Sequence, residues 1–138
     1  MHPIGYGIKA FDLSGQGAVV PAKIVTDADG LNLTAYGVLS PDKSLSLTLI
    51  NKENDGSARS ANVIVRPGAN YVAAKMILMA AAGNDVSSKT GVTLRGAPIK
   101  DDGTWDGVWS PSLSPAGKGE FSVNVPAVTA AVIRFSIK

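Results

Sequence analysis

The chain has 138 residues, 45% apolar and 17% charged, with 15 glycines, 8 prolines, no cysteine and a net charge of +2. That length suits one domain with a single sizeable core, and the composition is globular, not disordered. The missing cysteines exclude a disulfide framework and a thiolate metal site, and the scattered lysines and arginines, with no basic run, argue against nucleic acid.

Taken in order, residues 6–11 (Tyr-Gly-Ile-Lys-Ala-Phe) read as a first strand and residues 12–17 as a turn cluster. Residues 19–26 read as a second strand, with Pro21 marking an edge or a bulge. A turn at residues 27–30 leads to a third strand at 33–40. Pro41-Asp42-Lys43 makes a tight connection, because proline presets the first central position of a turn. Residues 45–51 then place Leu45, Leu47 and Leu49 on one face and Ser46 and Thr48 on the other, the period of a half-buried strand.

A polar loop at 52–60 precedes a strand at 61–66, which Pro67-Gly68 stops. The spacing predicts an antiparallel hairpin of 45–51 with 61–66. Residues 72–82 form the most apolar stretch, interrupted only by Lys75, and need cover on nearly all sides. Their Ala, Met and Leu content with a following Gly83 suits a helix, whereas their neighbours all suit strands. On pattern alone both readings stand.

Residues 91–95 are a short strand. Residues 97–119 have no period and hold Pro98, Pro111, Pro115 and both tryptophans, Trp105 and Trp109. Long loops of this kind are often functional or packed by their own side chains. Residues 120–125 and 129–137 alternate again, with Phe121, Val123 and Val125, then Ile133, Phe135 and Ile137, on one face. About eight or nine short strands predict an all-β fold, an antiparallel two-sheet β-sandwich with Greek-key-like connections, as one domain over residues 1–138.

The order of these pieces resembles the C-terminal β-sandwich domain of glycoside hydrolase family 79, the β-glucuronidase and heparanase-like enzymes. The matching residues are Tyr6-Gly7 leading to Phe11, Leu33-Thr-Ala-Tyr36, and Leu49-Ile-Asn-Lys52. Downstream follow Gly91-Val-Thr-Leu-Arg-Gly96, Asp102-Gly-Thr-Trp105 and Val125-Pro-Ala-Val-Thr-Ala-Ala-Val132. Together they span nearly the whole chain.

The resemblance implies that residues 72–82 are a strand. It also implies that the two catalytic glutamates belong to a (β/α)₈ barrel that this chain does not contain. In such enzymes a segment from before the barrel joins the sandwich. Without it an edge is open to self-association, since open edges recruit partners. Arg95 stands where a small residue is expected, so the turn there departs from the family's.

Glycoside hydrolysis needs two carboxylates about 5–10 Å apart. The only glutamates are Glu53, in a polar loop, and Glu120, at a strand start; both read as solvated. The aspartates fall mostly in turns, where Asp accepts local backbone hydrogen bonds. His2, the single histidine, supports neither a nucleophile triad nor a metal site. Residues 27–32 and 101–106 resemble calcium loops but lack the closing glutamate, so they read as turns and no metal or cofactor is expected.

Trp105 and Trp109 carry the one functional case, because exposed aromatic rings stack on sugar faces; otherwise they pin the long loop to the sandwich. Tyr6 and Tyr36 read as core or domain-interface residues. The leading expectation is a non-catalytic accessory domain that packs on a catalytic barrel and stabilises it. The alternative is a stand-alone carbohydrate-binding module using the Trp105–Trp109 loop. No apolar run reaches the ~18 residues of a membrane-crossing helix, so no membrane partner is expected. The first residues, Met-His-Pro-Ile-Gly-Tyr, show no leader pattern, and compartment stays open.

Overall fold

The computed structural model describes residues 1–26 and 29–138, the side chain of Lys118 apart. One helix, α1 (Pro3–Leu13), precedes the strands β1 (Ala18–Val20), β2 (Leu33–Leu39), β3 (Leu45–Asn51), β4 (Ala61–Val65), β5 (Tyr71–Ala80), β6 (Thr93–Leu94), β7 (Phe121–Val125) and β8 (Thr129–Ile137). All pairings are antiparallel. The large sheet runs β1-β2-β3-β8-β5-β6 and the small sheet is β4-β7, so the chain is a β-sandwich. The apolar stretch expected at 72–82 is the strand β5 and pairs with β8 along its length.

The central strand β8 is buried from Thr129 to Ile133 on both faces. On the inner face, Leu49, Phe121, Val123, Val125, Ala131, Ile133 and Phe135 form the first core, between the sheets. Phe135 meets Phe121 edge-on at a centroid distance of 5.1 Å and Tyr71 at 6.2 Å. On the outer face, Ile77 and Val132 join Tyr6, Ala10, Val92, Leu94 and Ile99 in a second core, roofed by α1 and the long loop. Two layers therefore cover one sheet.

The first expectation to fall is the strand at residues 6–11, which is the middle of α1. The physical reason lies outside those six residues. Pro3 sits in the first turn, where its missing N–H costs nothing, and Tyr6, Ala10 and Leu13 recur at helical spacing against the second core. The Ser14 N–H closes the helix on the Ala10 carbonyl at 3.0 Å. Packing of that stripe outweighs the poor helix propensity of Gly5 and Gly7.

The hairpin of 45–51 with 61–66 is also corrected. Both edges of β3 are taken, by β2 and β8, and β4 pairs with β7 in the other sheet. The intervening loop is a crossover between sheets. The second expected strand, 19–26, shortens to β1, because Pro21 has no N–H to continue the ladder to β2. The turn expected at 27–30 and the calcium-like loop at 27–32 include Asp27 and Ala28, which lie outside the described residues.

Two further contacts fix the layers. The long loop runs beside β5. The Ser110 N–H donates to the Met76 carbonyl at 3.0 Å, and Leu113 and Ala74 exchange backbone bonds of 2.7 and 3.0 Å. This covers an edge that would otherwise be free. Arg95, at φ +50, adopts the left-handed conformation where a small residue was expected, and its N–H donates to the Leu78 carbonyl at 2.7 Å.

Asn51 ties the sheets together. Its side chain is 1% exposed at the end of β3. The amide donates to the Val125 carbonyl of β7 at 3.0 Å and to the Arg59 carbonyl at 2.8 Å, and Oδ1 accepts the Glu53 N–H at 3.1 Å. Asn51→Ala strands these backbone groups in a buried place and should cost about 2–4 kcal/mol. A urea titration measures this as a lower midpoint with an unchanged slope. A loss below about 0.5 kcal/mol would mean water replaces the amide without penalty.

Candidate functional site

The loop between β6 and β7 carries both tryptophans. Trp105 and Trp109 are half-buried and pack against the second core. The Trp105 ring lies over Gly107, where a Cβ would come within 2.2 Å of ring carbons, so only glycine fits beneath it. The Trp105 indole N–H is buried and finds no partner among the described residues. This ring is a wedge between loop and core.

Trp109 also borders a shallow recess of about 320 Å³ on the outer face of the large sheet, with Ala73, Lys75, Ser112, Arg134 and Ser136. Arg134 is held by Asp42 at 3.0 Å and by the Ser44 hydroxyl at 3.1 Å. Lys75 has no ion-pair partner among the described residues. Trp105 does not line this recess, so the two rings do not make one platform.

Tyr6 is 5% exposed and belongs to the chain's own second core; its hydroxyl accepts the Ile99 N–H at 3.2 Å. Tyr36 is 59% exposed on the outer face of β2. The two tyrosines are thus in different surroundings, one internal and one exposed to solvent.

A larger cleft of about 860 Å³ lies between the sheets beside β4. Leu33, Ala35, Leu45 and Leu47 give it an apolar floor, and residues 20–26 and 59–67 line its sides. The cleft lies where the two-stranded sheet is narrower than the six-stranded one. No carboxylate and no histidine lines the cleft among the described residues.

The two glutamates are each bound to an arginine. Glu53 accepts the Asn32 N–H at 2.8 Å and bonds Arg59 at 3.1 and 3.3 Å. Glu120 accepts Arg66 Nε–H at 2.8 Å. Hydrogen bonds from Arg59 first, then the Asn32 N–H, hold the Glu53 carboxyl below its ordinary range. Four aspartates share one local design: the Oδ1 of Asp42, Asp55, Asp85 and Asp102 accepts both the N–H and the hydroxyl of the Ser or Thr two residues on. That contact holds each carboxyl below its ordinary value. Of the calcium-like loop at 101–106, Asp102 is engaged by Thr104 and Asp106 by Lys100. Among the described residues no group of three metal-ligating side chains comes together.

No family model matches the sequence, and no curated protein matches it. Solved structures do share the fold. The 4-O-α-L-rhamnosyl-β-D-glucuronidase of Fusarium oxysporum 12S matches with TM-score 0.59 and 19% identity, over 83% of this chain and 25% of that one. The GH51 arabinofuranosidase of Xanthomonas axonopodis pv. citri matches with TM-score 0.54 and 15% identity, over 84% of this chain and 21% of that one. The chain thus spans about a fifth to a quarter of these glycoside hydrolases. At such identities the likeness is one of fold.

Carboxyls held low stabilise the folded state above their ordinary values, 3.8 for Asp and 4.5 for Glu, and lose that contribution as pH falls through the folded values. Urea midpoints should therefore fall as pH drops below about 4.5. Glu53→Gln should lower stability at neutral pH and flatten the acid loss. An equal acid slope in Glu53→Gln would remove Glu53 from this account.

Proposed function

We propose that this chain is a non-catalytic accessory β-sandwich of a glycoside hydrolase of the family 79 type, which packs against a catalytic (β/α)₈ barrel and stabilises it. The observation that carries the reading is the division of labour in the chain's polar groups. Both glutamates are tied to arginines and four aspartates, Asp42, Asp55, Asp85 and Asp102, to neighbouring hydroxyls, and among the described residues neither cleft is lined by a carboxylate pair for glycoside hydrolysis. Meanwhile large apolar side chains, Ile4, Ile8, Phe11 and Tyr36 among them, stand in solvent on the outer side. Apolar surface of that kind marks a contact.

The fold's occurrence as a minor part of glycoside hydrolase chains supports the same reading. The open cleft beside β4 suits the extended segment that, by the resemblance, precedes the barrel. Residues 20–26 form its far side, which favours a single strand there over a whole second copy pairing edge to edge.

A second reading rests on Trp109. A half-buried ring beside Lys75, Arg134 and two serine hydroxyls is a combination that can stack and hydrogen-bond a saccharide. In that case the chain is a carbohydrate-binding module.

Two assays on the isolated chain separate the readings. Aryl glycosides, β-glucuronides included, should show no turnover. Intrinsic tryptophan fluorescence should stay flat when titrated with neutral and uronic-acid-containing oligosaccharides. Turnover would reject the accessory reading. A saturable fluorescence change that disappears in Trp109→Ala would replace it with the binding module.

A further inference from the structure

Lys75 is the one charge in the apolar stretch of β5, and the register sets it directly opposite Arg134 of β8. Both lie on the outer face, since Ala74 and Phe135 beside them belong to the inner core. Like charges that face each other across two strands repel. Asp42 answers only one of them: it accepts from Nη2 of Arg134, while Lys75 has no ion pair among the described residues. The next pair on this face is Ala73 opposite Ser136, a small side chain beside a hydroxyl.

The long loop walls this spot, and β5 fixes the loop. The Ser110 N–H donates to the Met76 carbonyl at 3.0 Å, and the Ser110 hydroxyl accepts the Met76 N–H at 2.9 Å. Leu113 and Ala74 are joined by their two backbone bonds. Trp109 and Ser112, adjacent to these anchors, are thereby held at the recess. The donors Lys75 Nζ, the Ser112 and Ser136 hydroxyls, and Nε and Nη1 of Arg134 make no bond among the described residues. A wall prepared in this way needs little further ordering to bind a ligand.

The donor set selects that ligand. A carboxylate offers two oxygens and a single charge. A phosphate monoester offers three strong acceptor oxygens and about 1.5–2 negative charges, which suits two facing cations and two hydroxyls. The Trp109 ring supplies a face for the group that carries the phosphate. We propose that Lys75, Arg134, Ser112, Ser136 and Trp109 form a binding site for a phosphate monoester carried on a ring. The site lies apart from the cleft beside β4 and does not rest on the accessory reading. It shares Trp109 with the saccharide reading but requires a phosphate group, so its failure and the failure of that reading are told apart by the ligand used.

The probes are phenyl phosphate and inorganic phosphate, titrated into the isolated chain at neutral pH and at constant ionic strength made up with chloride. The readout is the NMR signals of the backbone amides and of the two indole N–H groups. The Trp109 indole and the amides of Lys75, Ser112 and Ser136 should shift saturably, with a dissociation constant of about 1 mM for phenyl phosphate. The Trp105 indole, which does not line the recess, should stay in place. Inorganic phosphate should bind several-fold more weakly, and Trp109→Ala should remove that difference. Lys75→Met should weaken binding about tenfold. Lys89→Met, which removes an exposed lysine outside the recess, should leave it unchanged. No saturable shift up to about 20 mM overturns the proposal. So does undiminished binding in Lys75→Met, an equal loss in Lys89→Met, or equal affinity for the two probes.

Discussion

Burial of β8 on both faces is the constraint from which the rest follows. Five successive residues, Thr129 to Ile133, lie inside, and Phe135 after them. A strand in that position has no solvent face, so it must be flanked by strands and roofed by two layers. β3 and β5 flank it. The small sheet roofs one side through Phe121, Val123 and Val125. On the other side α1 and the long loop do so through Tyr6, Ala10, Ile99 and the tryptophans. The helix is thus a required cover for Val132 and Ile77, and cannot be regarded as an appendage.

The asymmetry of the sandwich has the same origin. The small sheet has two strands and covers the middle of a six-stranded sheet. The inner face of β2 then extends past β4 as the floor of an apolar cleft. Arg59 and Arg66 at its side are both paired with glutamates, and Lys23, Ser60 and Asn62 add polar groups to its walls.

Where one face of a strand is buried, the sequence could be read directly. β7 alternates Phe121, Val123 and Val125 with exposed Ser122 and Asn124, and the structure keeps that pattern residue for residue. β2 and β3 were legible as strands joined by the tight connection Pro41-Asp42-Lys43, and the structure pairs them across it. β5 was not legible by period, since a strand covered on both faces has no alternation; the resemblance identified it. α1 was misread because six residues of Tyr-Gly-Ile-Lys-Ala-Phe fit either period, and its second apolar face blurs the helical one. The partner of β4 was misassigned because chain proximity cannot reveal that both edges of β3 are already occupied. Of the candidate site, the two tryptophans were visible as residue types. Their separation, one as a wedge over Gly107 and one beside Lys75 and Arg134, depends on the path of an aperiodic loop.

Polar chemistry in this chain serves geometry. The same Asp-to-hydroxyl contact closes the turns at Asp42, Asp55, Asp85 and Asp102, and each one uses a carboxylate that could otherwise act on a ligand. Asn51 spends its amide on holding β3 to β7. The free energy left at the surface is therefore mainly apolar: Ile4, Ile8 and Phe11 on α1, the exposed ring of Tyr36, and the cleft beside β4. Exposed apolar area is a standing gain for any partner that removes it from water, at about 25 cal/mol per Å² before the costs of association. The fold fixes these charges in local contacts and leaves several large aliphatic side chains outward.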